Sequence, residues 1–343
     1  MTNSNQKTVL FTGTALPETY RKRLRDHGCT LKMERHDLSE DELIQTLKGV
    51  SGYILGGVEK ATRRVLESSP ELKIVTFFGV GYENYIDCSA ATDCGIAVTN
   101  TPGSNARSVA EFTITLMLDA VKKSPFLIDA TKQGDWKEIQ TKTVKGKTLG
   151  IVGMGTIGGI VAEIAHKGFG MNILYTGRTP KPELESSLKA QFVPLPELLK
   201  RCDVLSLHAN VSEHTVGIIG EAELNSMKDG AVLVNTSRAE LVDPKALKNA
   251  LASKKISCAA FDGYYQEPVP KPESDKWGLV GLSHEIFLVS PHTAYFTEDA
   301  TAAMADLSTN SVMEMLDGHE PSHLVNPEYK VNACKRQTVS SRQ

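Results

Sequence analysis

Thr148-Leu-Gly-Ile-Val-Gly153-Met-Gly155-Thr-Ile-Gly158-Gly159 runs an apolar strand through three spaced glycines into a helical pattern, Ile160, Val161, Ile164 and Ala165. The first glycine of such a turn permits a tight bend. The second lets the backbone approach a pyrophosphate, and the third lets helix and strand pack closely. Phosphates then meet the N-terminus of a helix, where unpaired N–H groups and the helix dipole favour negative charge. Strand before and helix after favour a dinucleotide-binding turn over a purely structural glycine turn and predict an α/β fold with a parallel sheet.

Downstream of that turn, apolar runs at 172–175, 204–208, 231–235, 258–261 and 286–290 read as further strands of the same sheet. Upstream, runs at 7–11, 30–33, 52–55, 74–78 and 97–99 alternate with helical patterns at 18–27, 39–48 and 61–68. This first series lacks the glycine signature and is predicted to be a separate α/β domain. Residues 105–122 form a helix with apolar residues on nearly every face, Val109, Phe112, Ile114, Leu116, Met117 and Val121 among them, which predicts burial between domains or subunits. A last helix is expected at 297–316, and the polar tail from Asn332 is expected to be disordered.

The length of 343 residues suits two domains, given roughly 100–200 residues for each. A formal charge of −3 and a pI near 6.3 give no basic footprint for nucleic acid. Six scattered cysteines, without a Cys-x-x-Cys pair, fit free thiols in a reducing compartment and neither a disulfide framework nor a metal site. The most apolar window, 149–165, is interrupted by glycines and Glu163, so no membrane span is expected, and the protein is read as cytoplasmic.

Cofactor preference is read from the end of the second strand after the glycines, Ile173-Leu-Tyr-Thr176-Gly-Arg178-Thr-Pro-Lys181. An NAD site places a carboxylate there to hold the ribose 2′-hydroxyl. Here Thr176 occupies that place, with Arg178 just beyond, and a guanidinium binds a 2′-phosphate in bidentate fashion. NADP(H) is therefore preferred, with NAD(H) left open.

Three later strands each end in a polar residue: Val232-Leu-Val-Asn-Thr236-Ser-Arg238, Ala259-Ala-Phe-Asp262-Gly-Tyr-Tyr-Gln-Glu267-Pro, and Phe287-Leu-Val-Ser-Pro-His292. Ligands of parallel α/β sheets bind beyond the carboxyl ends of the strands, so Arg238, Glu267 and His292 are expected to converge. With Phe78-Gly-Val80-Gly81, Asn100-Thr-Pro-Gly103 and Val109-Ala-Glu111, these motifs resemble the D-2-hydroxyacid dehydrogenase family from about residue 73 to 304.

The resemblance implies a flavodoxin-like substrate domain from 1–101 and 297–331, with a Rossmann domain, 102–296, inserted into it, and a homodimer. It implies that His292 protonates the carbonyl oxygen of a small 2-oxoacid while the nicotinamide reduces its carbon. Glu267 would hydrogen-bond the imidazole and favour its charged form, and Arg238 would grip the substrate oxygens. Val80 and Gly81 would hold the substrate carboxylate through their N–H groups, and Tyr295 would line the pocket. Cofactor contacts fall by motif position on Gly153, Gly155, Thr156, Ile157, Gly158, Thr176, Arg178, Ala209, Thr215, Thr236 and Asp262, the last for the nicotinamide carboxamide. No metal is called for.

The Tyr175-Thr-Gly-Arg178 run resembles the NADPH-preferring glyoxylate/hydroxypyruvate reductase branch, whereas His292-Thr-Ala-Tyr295 resembles the D-lactate dehydrogenase branch. An NAD-dependent D-lactate-like or pathway-specific dehydrogenase, and a dinucleotide-sensing corepressor-type binding protein, stay open as alternatives. Ala239, Gly263 and Asn210 depart from the family pattern, which expects Gly, Val and Pro there.

Overall fold

The computed structural model describes residues 7–13 and 16–333. The chain divides into two compact units: the described residues up to Asn105 together with those from Phe296 onward, and Ala106–Tyr295.

In the first unit the five apolar runs become parallel strands β1 (Lys7–Thr12), β2 (Cys29–Glu34), β3 (Gly52–Leu55), β4 (Ile74–Phe77) and β5 (Ala97–Thr99), in the order β2-β1-β3-β4-β5. Strands buried on both faces read as continuous apolar runs, and alternate residues feed two cores. Val9, Phe11 and Ile54 join one, while Leu10, Tyr53 and Leu55 join the other. The helix Glu298–Leu316, capped by the Thr297 hydroxyl, returns to this unit and packs Ala305 and Val312 into the first of these cores. Gly52 is small for that reason: a Cβ there would stand 2.9 Å from Val312 Cγ1.

The second unit holds β6 (Thr148–Val152), β7 (Asn172–Thr176), β8 (Gln191–Phe192), β9 (Val204–Leu207), β10 (Ala231–Asn235), β11 (Ile256–Asp262) and β12 (Phe287–Ser290). All are parallel, in the order β12-β11-β10-β9-β6-β7-β8. The order reverses between β6 and β9, and ligand crevices open at such switch points. The long helix, Ala106–Lys122, is buried inside its own unit, against the helix Thr156–Phe169 and the Val232, Val234 and Ala260 face of the sheet, so its apolar periphery does not require a second chain.

Several short elements were not expected: the helices Cys88–Asp93 and Ser124–Lys132, and the two-residue edge strand β8. Of the tail expected from Asn332, the first two residues are described. Residues 329–333 form a helical turn and Asn332 donates to the Thr92 carbonyl at 3.0 Å, whereas 334–343, Cys334 included, lie outside the described residues. None of the five described cysteines forms a disulfide. Among the described residues, no helix is long and apolar enough to cross a membrane.

Candidate active site

The glycine turn sits where β6 meets the helix Thr156–Phe169, with Gly155 as the residue that precedes it. Its three glycines do three different things. Gly153 has φ +99°, and a Cβ on it would lie 2.5 Å from the His208 carbonyl oxygen. A Cβ on Gly158 would overlap the Gly153 carbonyl oxygen. A Cβ on Gly155 would meet no protein atom within 4 Å. The first and third glycines are thus demanded by the chain's own packing, whereas the second borders open space in front of a helix N-terminus. The N–H groups of Thr156, Ile157 and Gly158 belong to the first turn and have no acceptor within the helix. This cradle fits the pyrophosphate of a dinucleotide.

Thr176 ends β7 and accepts from the Gly153 N–H through its carbonyl at 2.9 Å, which joins the two loops. Arg178 is exposed and has no hydrogen-bond or ion-pair partner among the described residues. Its loop is pinned from below by the buried Tyr175, whose hydroxyl donates to Glu185 at 2.6 Å and accepts from the Lys181 N–H at 2.5 Å. Ala209 follows His208 beyond β9, and burial pushes the His208 imidazole down to about 4. Thr215 ties its own loop together, its Oγ1 accepting from Ser212 N at 2.7 Å and donating to the Asn210 carbonyl. Thr236 shares a hydrogen bond with Thr113 at 2.7 Å.

Arg238, Glu267 and His292 follow β10, β11 and β12, which are successive neighbours in the sheet. His292 Nδ1 stands 3.1 and 3.0 Å from the two carboxylate oxygens of Glu267. Nδ1 therefore carries the proton toward the carboxylate, and Nε2 has no protein partner among the described residues. Burial would push Glu267 up, but the hydrogen bonds and charge of His292, the Tyr264 N–H and the charge of Arg238 outweigh it, so the carboxyl sits below its ordinary range. The same balance locates Arg238 within electrostatic reach of Glu267. Asn235, buried at the end of β10, shapes the Arg238 turn: its amide donates to the Arg238 carbonyl at 2.8 Å and its oxygen accepts from Ser237 N at 3.0 Å.

His292 has a left-handed backbone, φ +51°, which is strained for a residue with a side chain. Asp262 holds this turn. Its Oδ1 accepts from the Ser290 hydroxyl at 2.6 Å and from Thr293 N at 2.9 Å, and its Oδ2 from Ala294 N at 2.8 Å. The residue expected to meet the cofactor thus first organises the histidine. The Tyr295 ring stands edge-on to the His292 ring at 6.3 Å.

In the first unit, Val80 and Gly81 lie in the loop after β4. That loop is braced by Asn100, which donates to the Val80 carbonyl at 2.8 Å, and by Thr101, whose N–H donates to the Gly79 carbonyl at 2.9 Å. The N–H groups of Val80 and Gly81 donate to no protein acceptor among the described residues. Ser290, Tyr175, Tyr264 and Asp275 were not singled out from the sequence as site residues. Ser290 was legible as the residue two before the histidine and Tyr175 as the start of the Tyr175-Thr-Gly-Arg178 run; Tyr264 and Asp275 carry no local signal.

A parallel sheet with a glycine turn at its switch point, and an imidazole–carboxylate pair beside a guanidinium on the adjoining strand ends, define a nicotinamide-dependent oxidoreductase. Comparison with known proteins gives the particular family. Residues 114–294 match the family model for the D-isomer specific 2-hydroxyacid dehydrogenase NAD binding domain. The chain is 37% identical to a glyoxylate reductase of Thermococcus gammatolerans over 94% of its length and 97% of the relative's. Among solved structures it is similar to a glyoxylate reductase from Paecilomyes thermophila, at 32% identity and a TM-score of 0.81 over 94% of this chain and 99% of that one. It also resembles the D-lactate dehydrogenase of Escherichia coli, at 25% identity and a TM-score of 0.80 over 93% and 99%. The chain belongs to the D-isomer specific 2-hydroxyacid dehydrogenase family.

Proposed function

We propose that the protein is an NADPH-preferring reductase that converts a small 2-oxoacid, of the glyoxylate or hydroxypyruvate kind, into the D-2-hydroxyacid. The observation that carries this reading is the His292–Glu267 pair, with Nδ1 committed to the carboxylate and Nε2 left to a ligand. A nicotinamide held at the glycine turn would supply the hydride for the substrate's carbonyl carbon. His292 Nε2 gives its proton to the carbonyl oxygen as that oxygen gains charge, and Glu267 balances the imidazolium before transfer. Arg238 stabilises the charge that develops on the same oxygen and orients the substrate carboxylate. The unengaged N–H groups of Val80 and Gly81 are donors for a substrate carboxylate, which makes the unit containing β1–β5 the substrate domain and Ala106–Tyr295 the dinucleotide domain.

Toward the cofactor, Gly153, Gly155 and Gly158 form the pyrophosphate turn with the N–H groups of Thr156 and Ile157. Arg178, exposed and unpaired beside Thr176, takes the 2′-phosphate. Ala209, Thr215 and Thr236 line the remaining contacts, and Asp262 offers a further lone pair to the carboxamide. A D-lactate-like substrate is the second reading, favoured by the Tyr295 ring set against His292. A homodimer accords with Ile128, 59% exposed, and Trp136, 84% exposed, both large apolar side chains facing solvent in this chain. A cytoplasmic setting completes the reading.

The test is direct. Purified protein is mixed with NADPH or NADH and a panel of 2-oxoacids, and loss of the reduced cofactor's near-ultraviolet absorbance is followed. Turnover of glyoxylate or hydroxypyruvate with NADPH is expected; a panel without any turnover rejects the proposal.

A further inference from the structure

Beyond β11 the chain makes a long excursion, 263–286, before β12 begins. Its first residues carry Glu267, whose carboxylate oxygens stand 3.1 and 3.0 Å from His292 Nδ1. Tyr264 touches Glu267 directly, its backbone N–H donating to Oε1 at 3.2 Å. The Tyr264 side chain is itself buried, 5% exposed, and packs edge-on against Tyr265 and Phe287. Its hydroxyl reaches eleven residues down the chain to both carboxylate oxygens of Asp275, at 2.9 and 2.8 Å. Asp275 in turn accepts the N–H groups of Trp277 at 3.1 Å, Leu279 at 2.7 Å and Val280 at 2.9 Å.

We infer that Asp275 and Tyr264 are positioning residues for the reaction: the Asp275 carboxylate anchors the Tyr264 hydroxyl, and Tyr264 through its backbone N–H sets the orientation of Glu267 against His292. This rests on the reading of Glu267 and His292 as the proton-delivering pair. The link runs from a folded loop to the Glu267 carboxylate and acts through that residue, so Tyr264 and Asp275 are positioning residues.

The chemistry of the link is one-directional. Burial, reinforced by the Asp275 carboxylate, pushes the Tyr264 phenol above its ordinary range, so it remains a donor. Burial pushes Asp275 up, but its backbone N–H donors and the Tyr264 hydroxyl pull it below the ordinary carboxylate range, so it remains an acceptor. Throughout the neutral range the pair cannot exchange roles, and the geometry it imposes on residue 264 is constant. Glu267 is the member that the link positions: among the described residues its carboxylate takes hydrogen bonds from the Tyr264 N–H and the imidazole.

The experiment compares Tyr264→Phe, Asp275→Ala and Asp275→Asn with the parent and with Glu267→Gln. It records kcat and kcat/KM for 2-oxoacid reduction across pH, the Kd for NADPH and the Tm. Tyr264→Phe and Asp275→Ala are expected to lower kcat about tenfold, as small misplacements of reacting groups do. They should also move the alkaline limb of the profile to lower pH, in the direction of Glu267→Gln, while leaving the Kd for NADPH within about twofold. Asp275→Asn keeps one acceptor oxygen and is expected to recover part of the loss. Should Tyr264→Phe and Asp275→Ala lower only the Tm and keep the parent profile, while Glu267→Gln shifts it, the positioning inference is overturned and the site reading survives. If Glu267→Gln itself keeps the parent profile and rate, both fall.

Discussion

Gly263 lacks a side chain because Glu267 occupies the space: a Cβ built on Gly263 would overlap Oε1 of Glu267 and lie 3.5 Å from Nδ1 of His292. The backbone agrees, with φ +97° at that residue, a conformation open to glycine and strained for other residues. Gly263→Ala is expected to lower kcat/KM by about tenfold or more through displacement of Glu267, and to destabilise the fold by about 1 kcal/mol or more through the positive φ. Steady-state kinetics together with thermal unfolding would check this; a variant with parental kinetics would show that Glu267 does not need that space.

Removing the imidazole is the sharper cut. His292→Ala is expected to lose on the order of 10²–10⁴-fold in kcat, the usual worth of a general acid, with NADPH affinity held within a few-fold. The side chain contacts Glu267 and the Tyr295 ring and touches none of the glycine turn. Fluorescence titration of NADPH beside kinetics separates the two effects. An equal loss of cofactor binding would assign His292 to folding instead.

Much of this arrangement was legible in the residues. Strands buried on both faces read as continuous apolar runs, and β1, β3, β5, β6 and β10 fall within a residue of the expected positions. Arg238, Glu267 and His292 were legible because each follows such a strand. What escaped has local causes in two cases and a tertiary one in the third. Cys88–Asp93 has only six residues and a cap from Asp87, too short for a helical period to register. Ser124–Lys132 starts after Lys123, whose left-handed backbone breaks a helix that reads as ending there. Asp262, the last residue of β11, was named for the cofactor by motif position, whereas its hold on Ser290, Thr293 and Ala294 is visible only once β11 and β12 are paired.

Acid sensitivity is expected from His208. Its folded value is lowered by burial to about 4 from the ordinary 6.5. A group depressed on folding contributes stability that is fully present above 6.5 and is lost as pH falls toward 4, because the unfolded chain takes up the proton first. The shift corresponds to about 3 kcal/mol. Urea unfolding at intervals across that window should show falling stability in the parent and a shallower fall in His208→Asn. Parallel slopes would mean that His208 is as accessible to protons folded as unfolded.

Cofactor choice turns on Arg178, which stands exposed over a loop fixed by the Tyr175 hydroxyl. Arg178→Ala is expected to lower kcat/KM for NADPH by about tenfold or more, the worth of a charge-assisted contact of roughly 1.5–3 kcal/mol, with little change for NADH. Parallel measurements with the two cofactors decide it. Unchanged use of NADPH would make Arg178 a solvated surface charge.

The glycine turn allows a separation of folding from binding. Gly155 has φ −79°, compatible with any residue, and a Cβ there meets nothing within 4 Å. Gly155→Ala should therefore fold with a parental Tm, because the added methyl enters space that no protein atom uses. That same space is where a pyrophosphate must approach the helix, so the Kd for NADPH should rise by about tenfold or more. Gly158→Ala inverts the pattern. Its methyl would overlap the Gly153 carbonyl oxygen in the strand–helix junction, and overpacking of that kind destabilises by about 1–3 kcal/mol. Calorimetry and cofactor titration on both variants should therefore show Gly155→Ala failing in binding and Gly158→Ala failing in stability. If Gly155→Ala binds NADPH as the parent does, the dinucleotide does not lie against this turn, and the crevice at the β6–β9 switch point must receive its ligand in some other orientation.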